Sequence, residues 1–132
     1  MIKIGTDICS IERISSAYDR FGPRLLHRIL TPAEAEYVLS QPPQLASRLA
    51  GRFAAKEAAS KALGTGWRGV AWKEIEVIRD LTGAPSLRLH GRAERIAASL
   101  GLRCWEVSVS HERDYAIAFV LAYTSEKVSA YS

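Results

Sequence analysis

Hydrophobic and polar residues follow different periods along the chain, and these periods predict its main elements. Residues 2–8 alternate in polarity, which predicts a strand that ends at residues 7–8. Residues 115–123 are almost wholly apolar, which predicts a strand that is central in a sheet or buried in an interface. The alanine- and leucine-rich stretch 44–63 predicts the longest helix, because Gly64 follows it as a typical stop.

Shorter elements lie between these three. Thr31 and Glu34 form a capping box around Pro32, so a helix begins here, and it ends before Gln41. The other predicted elements are helices over 11–18, 24–30 and 91–100 and strands around 75–78, 86–90 and 105–109. Early helices and late strands predict an α+β fold with an antiparallel sheet packed against the long helix. We expect a single domain over residues 1–132, with a loose tail over 124–132.

The composition is typical of an ordinary globular protein. Apolar residues make up 48% of the chain and charged residues 24%, and no apolar run approaches the roughly 18 residues of a membrane span. The first residues offer no signal-peptide core, so we expect a cytoplasmic protein without a membrane partner. Cys9 and Cys104 are then expected to be free thiols.

The charge balance is mildly basic and depends mostly on arginine. Eighteen basic residues, of which 13 are arginine, outnumber 14 acidic residues and leave a net charge of +4. Arg13, Arg20, Arg24 and Arg28 are spaced so that a continuous helix would align them on one face. The Gly-Pro pair at 22–23 interrupts that helix, so only each half is aligned. The run is either a solvated basic face or a docking surface for an acidic helix or a nucleic acid.

The long helix carries the pattern of greatest chemical interest. Glu57 and Lys61 lie four residues apart on one helix face, and the glycine-containing loop 64–66 follows them. One interpretation is a solvated ion pair between the two side chains. The other is a site for a magnesium-bound pyrophosphate, because a carboxylate holds a hard cation and an ammonium group neutralises phosphate oxygens. Loop amides would then approach the phosphate closely.

Two further residues stand at the ends of predicted strands. Asp7 follows the flexible Gly5 and, taken alone, is typical of a turn or a helix cap. His111 closes a strand directly after Ser110. Because neighbouring strand residues face opposite sides, these last two residues are disfavoured as a nucleophilic pair.

Taken together, the amino-acid sequences of these stretches and their order along the chain are similar to those of one family. The matching segments are Gly5-Thr6-Asp7-Ile8 with Arg13-Ile14, residues 51–58 with Lys61-Ala62 and Gly64-Thr65-Gly66, and Val109-Ser110-His111. The sequence resembles the holo-acyl-carrier-protein synthases, which are small 4'-phosphopantetheinyl transferases, over nearly the whole chain. The resemblance implies the 4'-phosphopantetheinyl transferase-like fold. It also implies transfer of phosphopantetheine from coenzyme A to a serine hydroxyl of an apo acyl carrier protein, with release of adenosine 3',5'-bisphosphate.

The resemblance further implies roles for individual residues. Asp7 and Glu57 are expected to ligate Mg²⁺ and Lys61 to bind the pyrophosphate, so these three are the expected catalytic residues. The expected nucleotide contacts are Arg52, Lys61, Gly64, Thr65, Gly66, Pro85 and His111. The arginines expected to receive an acidic carrier protein are Arg13, Arg20 and Arg24. For removal of the serine proton, Glu57, a metal-bound water and Asp7 are alternatives.

The family also implies a homotrimer with active sites between subunits. A trimer interface would account for the apolar stretch 115–123, and so would the core of a monomer. A basic α+β module that binds nucleic acid is the alternative function, although aromatic residues are only 8% and are not interleaved with the arginines. A structural homotrimer without chemistry leaves Asp7, Glu57 and Lys61 unexplained. We therefore expect coenzyme A and an acidic carrier protein as partners, and no nucleic acid.

Overall fold

The elements of the computed structural model confirm an α+β architecture. The structure describes residues 1–124, so the predicted tail lies outside the described residues except for Thr124. The elements are β1 (Ile2–Ser10), α1 (Ile11–Phe21), α2 (Pro23–Ile29), α3 (Pro32–Leu39), α4 (Leu45–Leu63), β2 (Ile75–Arg79), β3 (Pro85–Leu89), α5 (Gly91–Ser99), β4 (Cys104–His111) and β5 (Tyr115–Tyr123). Short 3₁₀ turns at Pro42–Gln44 and Trp72–Glu74 precede α4 and β2.

The larger sheet has three antiparallel strands in the order β1–β5–β4, which makes the apolar strand β5 central as predicted. Its side chains alternate between two faces, because successive strand residues point to opposite sides. The inner face of β5 is fully buried and consists of Ala116, Ala118, Val120 and Ala122. The outer face keeps Ile117 and Phe119 about half exposed. Only one face of the apolar strand β5 therefore packs into the core of the chain.

The helix α4 packs against the inner face of this sheet at very short range. A Cβ atom built on Gly5 of β1 would overlap the carbonyl oxygen of Ala58 and would lie 2.9 Å from the amide nitrogen of Ala62. Small residues on the buried face of α4 permit this approach: Ala54, Ala55, Ala58, Ala59 and Ala62. The alanine-rich composition of the helix thus reflects close contact with β1 and β5, as well as helix propensity.

A buried ion pair joins α4 to α3 and to the second sheet, which is the antiparallel hairpin β2–β3. The Nζ atom of Lys56 lies 2.7 Å from Oε1 of Glu34, and both side chains are fully buried. The other oxygen of Glu34 accepts a hydrogen bond from the backbone N–H of Val77 in β2. Burial lowers the pKa of Lys56, while Glu34 raises it and so opposes that effect. A pair satisfied in this way holds three elements in one relative position.

The structure corrects two sequence-based expectations. The strand β1 continues to Ser10, because residues 8–10 keep pairing with Tyr115–Ile117 of the long strand β5. Asp7 therefore lies inside a strand instead of at its end. The helix predicted over 91–100 ends at Ser99, and Leu100 after it is exposed.

Two other expectations bear on the chain's environment. Cys9 and Cys104 are both free thiols, as expected. Over residues 1–124, no helix combines the length and the hydrophobicity needed to cross a bilayer.

Candidate functional site

The contact between β1 and α4 brings together two of the residues selected from the sequence. Asp7 projects from β1 toward the helix, on the same strand face as the buried residues Gly5 and Cys9. Lys61, in the last turn of α4, donates a hydrogen bond from Nζ to Oδ1 of Asp7 at 3.1 Å. The same Nζ also donates to the carbonyl oxygen of Thr6 at 2.9 Å. Strand and helix are thus joined by a cation whose side chain is half exposed.

Glu57, one turn before Lys61 on α4, makes a different contact from the one that its spacing predicted. Its Oε1 atom accepts a hydrogen bond from the indole N–H of Trp67 at 3.2 Å. The ion pair that was one interpretation of the spacing between Glu57 and Lys61 is absent from the described residues, since Lys61 turns toward Asp7 instead. Each carboxylate therefore has its own donor: a charged one for Asp7 and a neutral one for Glu57.

The pKa of the Cys9 thiol is influenced by both carboxylates, Asp7 and Glu57. Burial, together with the negative charges of Asp7 and Glu57, raises the pKa of Cys9 to about 11, although Arg13 lowers it in part. A thiol that is influenced by both carboxylates must lie near each of them, because such effects fall off with distance. Lys61, which contacts Asp7, lies one turn from Glu57 on α4, so the two carboxylates border the same space between β1 and α4.

The donor set of this space fits Mg²⁺. In the part of the chain that the structure describes, Asp7 accepts a side-chain hydrogen bond only at Oδ1 and Glu57 only at Oε1. One oxygen of each carboxylate is thus left for another ligand. No group of three or more His, Cys, Asp or Glu side chains that could hold a metal occurs within residues 1–124. Two carboxylates match Mg²⁺ chemistry, since this ion usually takes one or two protein carboxylates and completes its shell with water and substrate phosphates.

The loop after α4 ends the helix and borders this space. Gly64 adopts a left-handed conformation with φ of 87°, and its N–H donates to the carbonyl oxygens of Ser60 and Lys61. The N–H of Gly66 also donates to the carbonyl oxygen of Ser60. Two of the three loop amides therefore cap the helix. Among residues 1–124, the backbone N–H of Thr65 has no backbone acceptor, unlike those of Gly64 and Gly66.

Three other residues expected on the nucleotide side come together in a separate cleft of about 180 Å³. These three residues are Arg52 of α4, Pro85 at the start of β3 and His111 at the end of β4. Arg52 is only 7% exposed, and its Nε atom has no hydrogen-bond partner in the described part of the chain. Burial is the main influence on the pKa of Arg52 and lowers it. A buried guanidinium with an unused donor is suited to an anionic ligand.

Sequence reasoning missed three residues that surround Arg52. The guanidinium groups of Arg48, Arg52 and Arg79 lie over the ring of Tyr37, at 4.2, 4.1 and 4.6 Å from its centroid. All four side chains line the same cleft. The spacing of Arg48 and Arg52, four residues apart on one helix, was a usable signal. Arg79 and Tyr37 carried no such signal, because only the tertiary fold brings α3 and β2 to this point.

The cleft and the two carboxylates lie on different sides of α4. Arg52 and Glu57 are five residues apart, which places them about 140° apart around an α-helix. Asp7, Glu57 and Lys61 are accordingly not among the residues that line the cleft. Within one chain, therefore, the expected catalytic and nucleotide-side residues form two groups.

The predicted basic face is present and is broken as expected. Gly22, with φ of 61°, separates α1 from α2, and Arg13, Arg20, Arg24 and Arg28 are all exposed. An adjoining groove of about 540 Å³ combines basic and apolar side chains. Its lining residues are Phe21, Arg24, Leu25, Arg28, Ile29 and Trp72. A surface of this kind fits a partner with acidic residues beside apolar ones.

Comparisons with known proteins agree with the resemblance seen in the sequence. The family model of the 4'-phosphopantetheinyl transferase superfamily matches residues 3–120. A holo-[acyl-carrier-protein] synthase from Gloeobacter violaceus is 49% identical over 118 residues, which is 89% of either chain.

Solved structures give the same result. The crystal structure of holo-[acyl-carrier-protein] synthase from Neisseria meningitidis has a TM-score of 0.85 at 39% identity, over 94% of this chain and 100% of that one. The Helicobacter pylori holo-[acyl-carrier-protein] synthase, solved in complex with coenzyme A, has a TM-score of 0.80 at 32% identity, over 91% of this chain and 99% of that one.

Proposed function

The chain belongs to the holo-[acyl-carrier-protein] synthases of the 4'-phosphopantetheinyl transferase superfamily, and from this premise we propose a Mg²⁺-dependent reaction at the contact between β1 and α4. The enzyme transfers 4'-phosphopantetheine from coenzyme A to a serine hydroxyl of an apo acyl carrier protein. We propose adenosine 3',5'-bisphosphate as the second product. The nucleic-acid-binding alternative is not favoured, because the relatives are phosphopantetheinyl transferases over nearly their whole length.

One observation carries this proposal: Lys61 and Asp7, which are 54 positions apart in the chain, are in contact beside Glu57. In the reaction, the serine oxygen forms a bond to the β-phosphorus of coenzyme A. The bond from that phosphorus to the bridging oxygen breaks, the nucleotide leaves with the electron pair, and the serine proton is released to solvent. Such a transfer needs positioning and charge neutralisation more than covalent catalysis by the protein.

At the contact between β1 and α4, the charge of each side chain decides its role in the reaction. Asp7 and Glu57 would hold Mg²⁺, which supplies neutralisation of the pyrophosphate charge when it is bound. Lys61 is oriented by Asp7 and by the carbonyl oxygen of Thr6, and a donor oriented in this way stabilises charge on the phosphate oxygens. The N–H of Thr65, which has no backbone acceptor among the described residues, adds a neutral donor at the end of the helix.

We assign the arginine-rich cleft to the nucleotide half of coenzyme A. Arg52 and His111 face a space that is bordered by two further arginines, and a phosphate group is the ligand that such a set prefers. Pro85 shapes the wall of the cleft. The buried, unpartnered Nε of Arg52 supports this assignment.

The exposed arginines of α1 and α2 are assigned to the carrier protein. Arg13, Arg20 and Arg24 are exposed, and Arg24 lines a groove that also contains apolar side chains. An acidic amphipathic helix complements both properties of this surface. Charge complementarity of this kind orients a partner and speeds its association.

We propose that the active enzyme is a homotrimer with each site shared between subunits. The outer face of the large sheet supports this, since Ile4 and Ile8 of β1 are 62% and 64% exposed, beside Ile117 and Phe119 of β5. An apolar sheet face of this extent marks an interface. The separation of the two groups of site residues around α4 supports it as well, because a neighbouring copy can bring a cleft to the carboxylates.

The experiment that tests the activity is the intact mass of an apo carrier protein after incubation with coenzyme A and Mg²⁺. We expect the mass to rise by one phosphopantetheine arm, and a chelator to prevent the rise. Glu57→Gln should abolish Mg²⁺-dependent turnover while the circular dichroism spectrum stays that of the unmodified protein. The matched control is Glu94→Gln on the exposed surface of α5, which should react normally. Turnover by Glu57→Gln at the normal rate would remove Glu57 from the site.

A mixing experiment tests the shared site. Lys61→Ala and His111→Ala change exposed side chains in the two separate groups, so both variants should fold and both should be nearly inactive. Unfolding and refolding them together should restore activity, because a mixed trimer contains sites in which both residues are intact. Recovery no greater than the sum of the two separate variants would show that each chain builds a complete site by itself.

A further inference from the structure

We propose that Trp67 is a positioning residue that holds the Glu57 carboxylate in its metal-binding orientation through the indole N–H. The inference rests on the proposed function, in which Glu57 is a ligand of Mg²⁺. It adds a residue that the sequence motifs left without a role. Trp67 directly follows the loop 64–66 and makes a side-chain hydrogen bond to the carboxylate.

The chemistry of the donor suits this role. The Nε1 atom of Trp67 lies 3.2 Å from Oε1 of Glu57, and an indole N–H donates one hydrogen bond and accepts none. The donor is neutral, so the full negative charge of Glu57 stays available to a cation. The contact of Asp7 differs, because Lys61 brings a positive charge to that carboxylate. Metal ligands are typically oriented by such outer hydrogen bonds, and their loss typically weakens metal binding 10- to 100-fold.

An aromatic stack fixes the direction of the indole. The ring of Trp67 lies on Trp72 with centroids 3.8 Å apart, and Trp72 lies on Phe53 of α4 with centroids 5.2 Å apart. The backbone carbonyl of Trp72 accepts a hydrogen bond from Nζ of the buried Lys56 at 3.0 Å. Trp72, the middle ring of the stack, is therefore anchored to the buried ion pair between α3 and α4, and Trp67 lies on it with its N–H bonded to Glu57. A donor that is fixed by stacking orients its partner at little entropic cost.

The competing explanation is that Trp67 only packs and that its N–H is satisfied by the nearest acceptor. Trp67→Phe separates the two, because phenylalanine keeps an aromatic ring for the stack and lacks the N–H group. The chain offers a matched control in Trp105→Phe. The indole N–H of Trp105 donates to the backbone carbonyl of Leu102 at 3.0 Å, and Trp105 lines a different groove.

The experiment measures binding of Mn²⁺, used as a spectroscopic substitute for Mg²⁺, by electron paramagnetic resonance in the presence of coenzyme A. We expect Trp67→Phe to weaken Mn²⁺ binding about tenfold, and Trp105→Phe to bind as the unmodified protein does. In steady-state assays, Trp67→Phe should raise the KM for Mg²⁺ and leave the KM for coenzyme A unchanged. In a Glu57→Gln background, adding Trp67→Phe should cause no further loss of Mn²⁺ binding, because the two residues act as one unit.

The outcomes separate this inference from the proposed function. Equal Mn²⁺ binding by Trp67→Phe and the unmodified protein would overturn the role of Trp67 and leave the metal assignment intact. Equal weakening by both tryptophan variants would also overturn it, as a general loss of stability. No Mn²⁺ binding by the unmodified protein, with coenzyme A present, would overturn the role of Trp67 together with the metal assignment.

A measurement on the unmodified protein covers the case in which Trp67→Phe does not fold. In a nitrogen-15 spectrum, the indole N–H resonance of Trp67 should shift when Mg²⁺ and coenzyme A are added together, and that of Trp105 should not. A Trp67 resonance that stays in place while Mg²⁺ binds would overturn the role of Trp67.

Discussion

Replacing Gly5 by alanine tests the close contact on which the site depends. The added methyl group would overlap the carbonyl oxygen of Ala58, and it would lie 2.8 Å from the carbonyl carbon of Ala58 and 2.9 Å from the amide nitrogen of Ala62. Ordinary contacts begin near 3.4 Å, so relieving the 2.8 Å contact alone takes about 0.6 Å of separation between β1 and α4, and relieving the overlap with the carbonyl oxygen takes more. The atoms that are met belong to the helix backbone, which cannot move aside as a side chain can.

The Gly5→Ala substitution is expected to lower the free energy of unfolding by a large amount for a single added methyl group. Overpacking a core typically costs about 1–3 kcal/mol, and a clash with backbone belongs at the upper end, so we expect the free energy of unfolding to fall by about 3 kcal/mol. Activity should fall further than stability alone explains, because Asp7 is on β1 and Lys61 on α4. A misplacement of about 1 Å at a reacting centre can cost about 100-fold in rate.

The assay is urea unfolding followed by circular dichroism, at one fixed protomer concentration because association contributes to apparent stability. The matched control is Gly51→Ala, which is also on the buried side of α4. There the new methyl group meets only the Cγ1 atom of Val109, at 3.2 Å, and alanine favours the helix by about 1 kcal/mol. We expect Gly51→Ala to lie within about 1 kcal/mol of the unmodified protein. A Gly5→Ala protein as stable as the Gly51→Ala protein would show that β1 and α4 do not need this close contact.

Three other predictions address the docking surface, the buried ion pair and the thiol. Arg13→Glu should raise the KM for carrier protein about tenfold and leave that for coenzyme A nearly unchanged, whereas the exposed Arg95→Glu on α5 should change neither. Lys56→Met should lower the free energy of unfolding by about 3–5 kcal/mol in urea titrations, because Glu34 is left buried without its cation. Burial and the nearby carboxylates raise the pKa of Cys9 to about 11, so its alkylation by iodoacetamide should be slow near pH 8 and should accelerate above pH 10, as followed by peptide mass. Rapid labelling of Cys9 in the folded protein near pH 8 would contradict that pKa.

Local pattern was sufficient for most of the elements. The capping box at Thr31 and Glu34 placed the start of α3, and both of its hydrogen bonds are present. Gly64 ended α4 in the left-handed conformation that only glycine adopts easily. These signals succeed because they depend on neighbours within four residues, which the sequence shows directly.

The sequence predicted the position of the site residues on their helix better than it predicted their hydrogen-bond partners. Glu57 and Lys61 are correctly placed on one helix, yet Lys61 pairs with Asp7 and Glu57 binds Trp67. Helical spacing shows which residues share a face and says nothing about the strand or loop that packs against it. The same limit hid the cluster of Tyr37 with three arginines, which come from α3, α4 and β2.

Periodicity, capping and short motifs in the amino-acid sequence were enough to predict the α+β order, the long helix, the basic residues of α1 and α2 and the family. The packing of the elements was needed to show that Asp7 lies within a strand, that Lys61 reaches it, and that Arg52 shares a cleft with His111. These relations join residues that are far apart in the chain. Their geometry is set by the packing of whole elements, here by the approach of β1 to α4 that Gly5 permits.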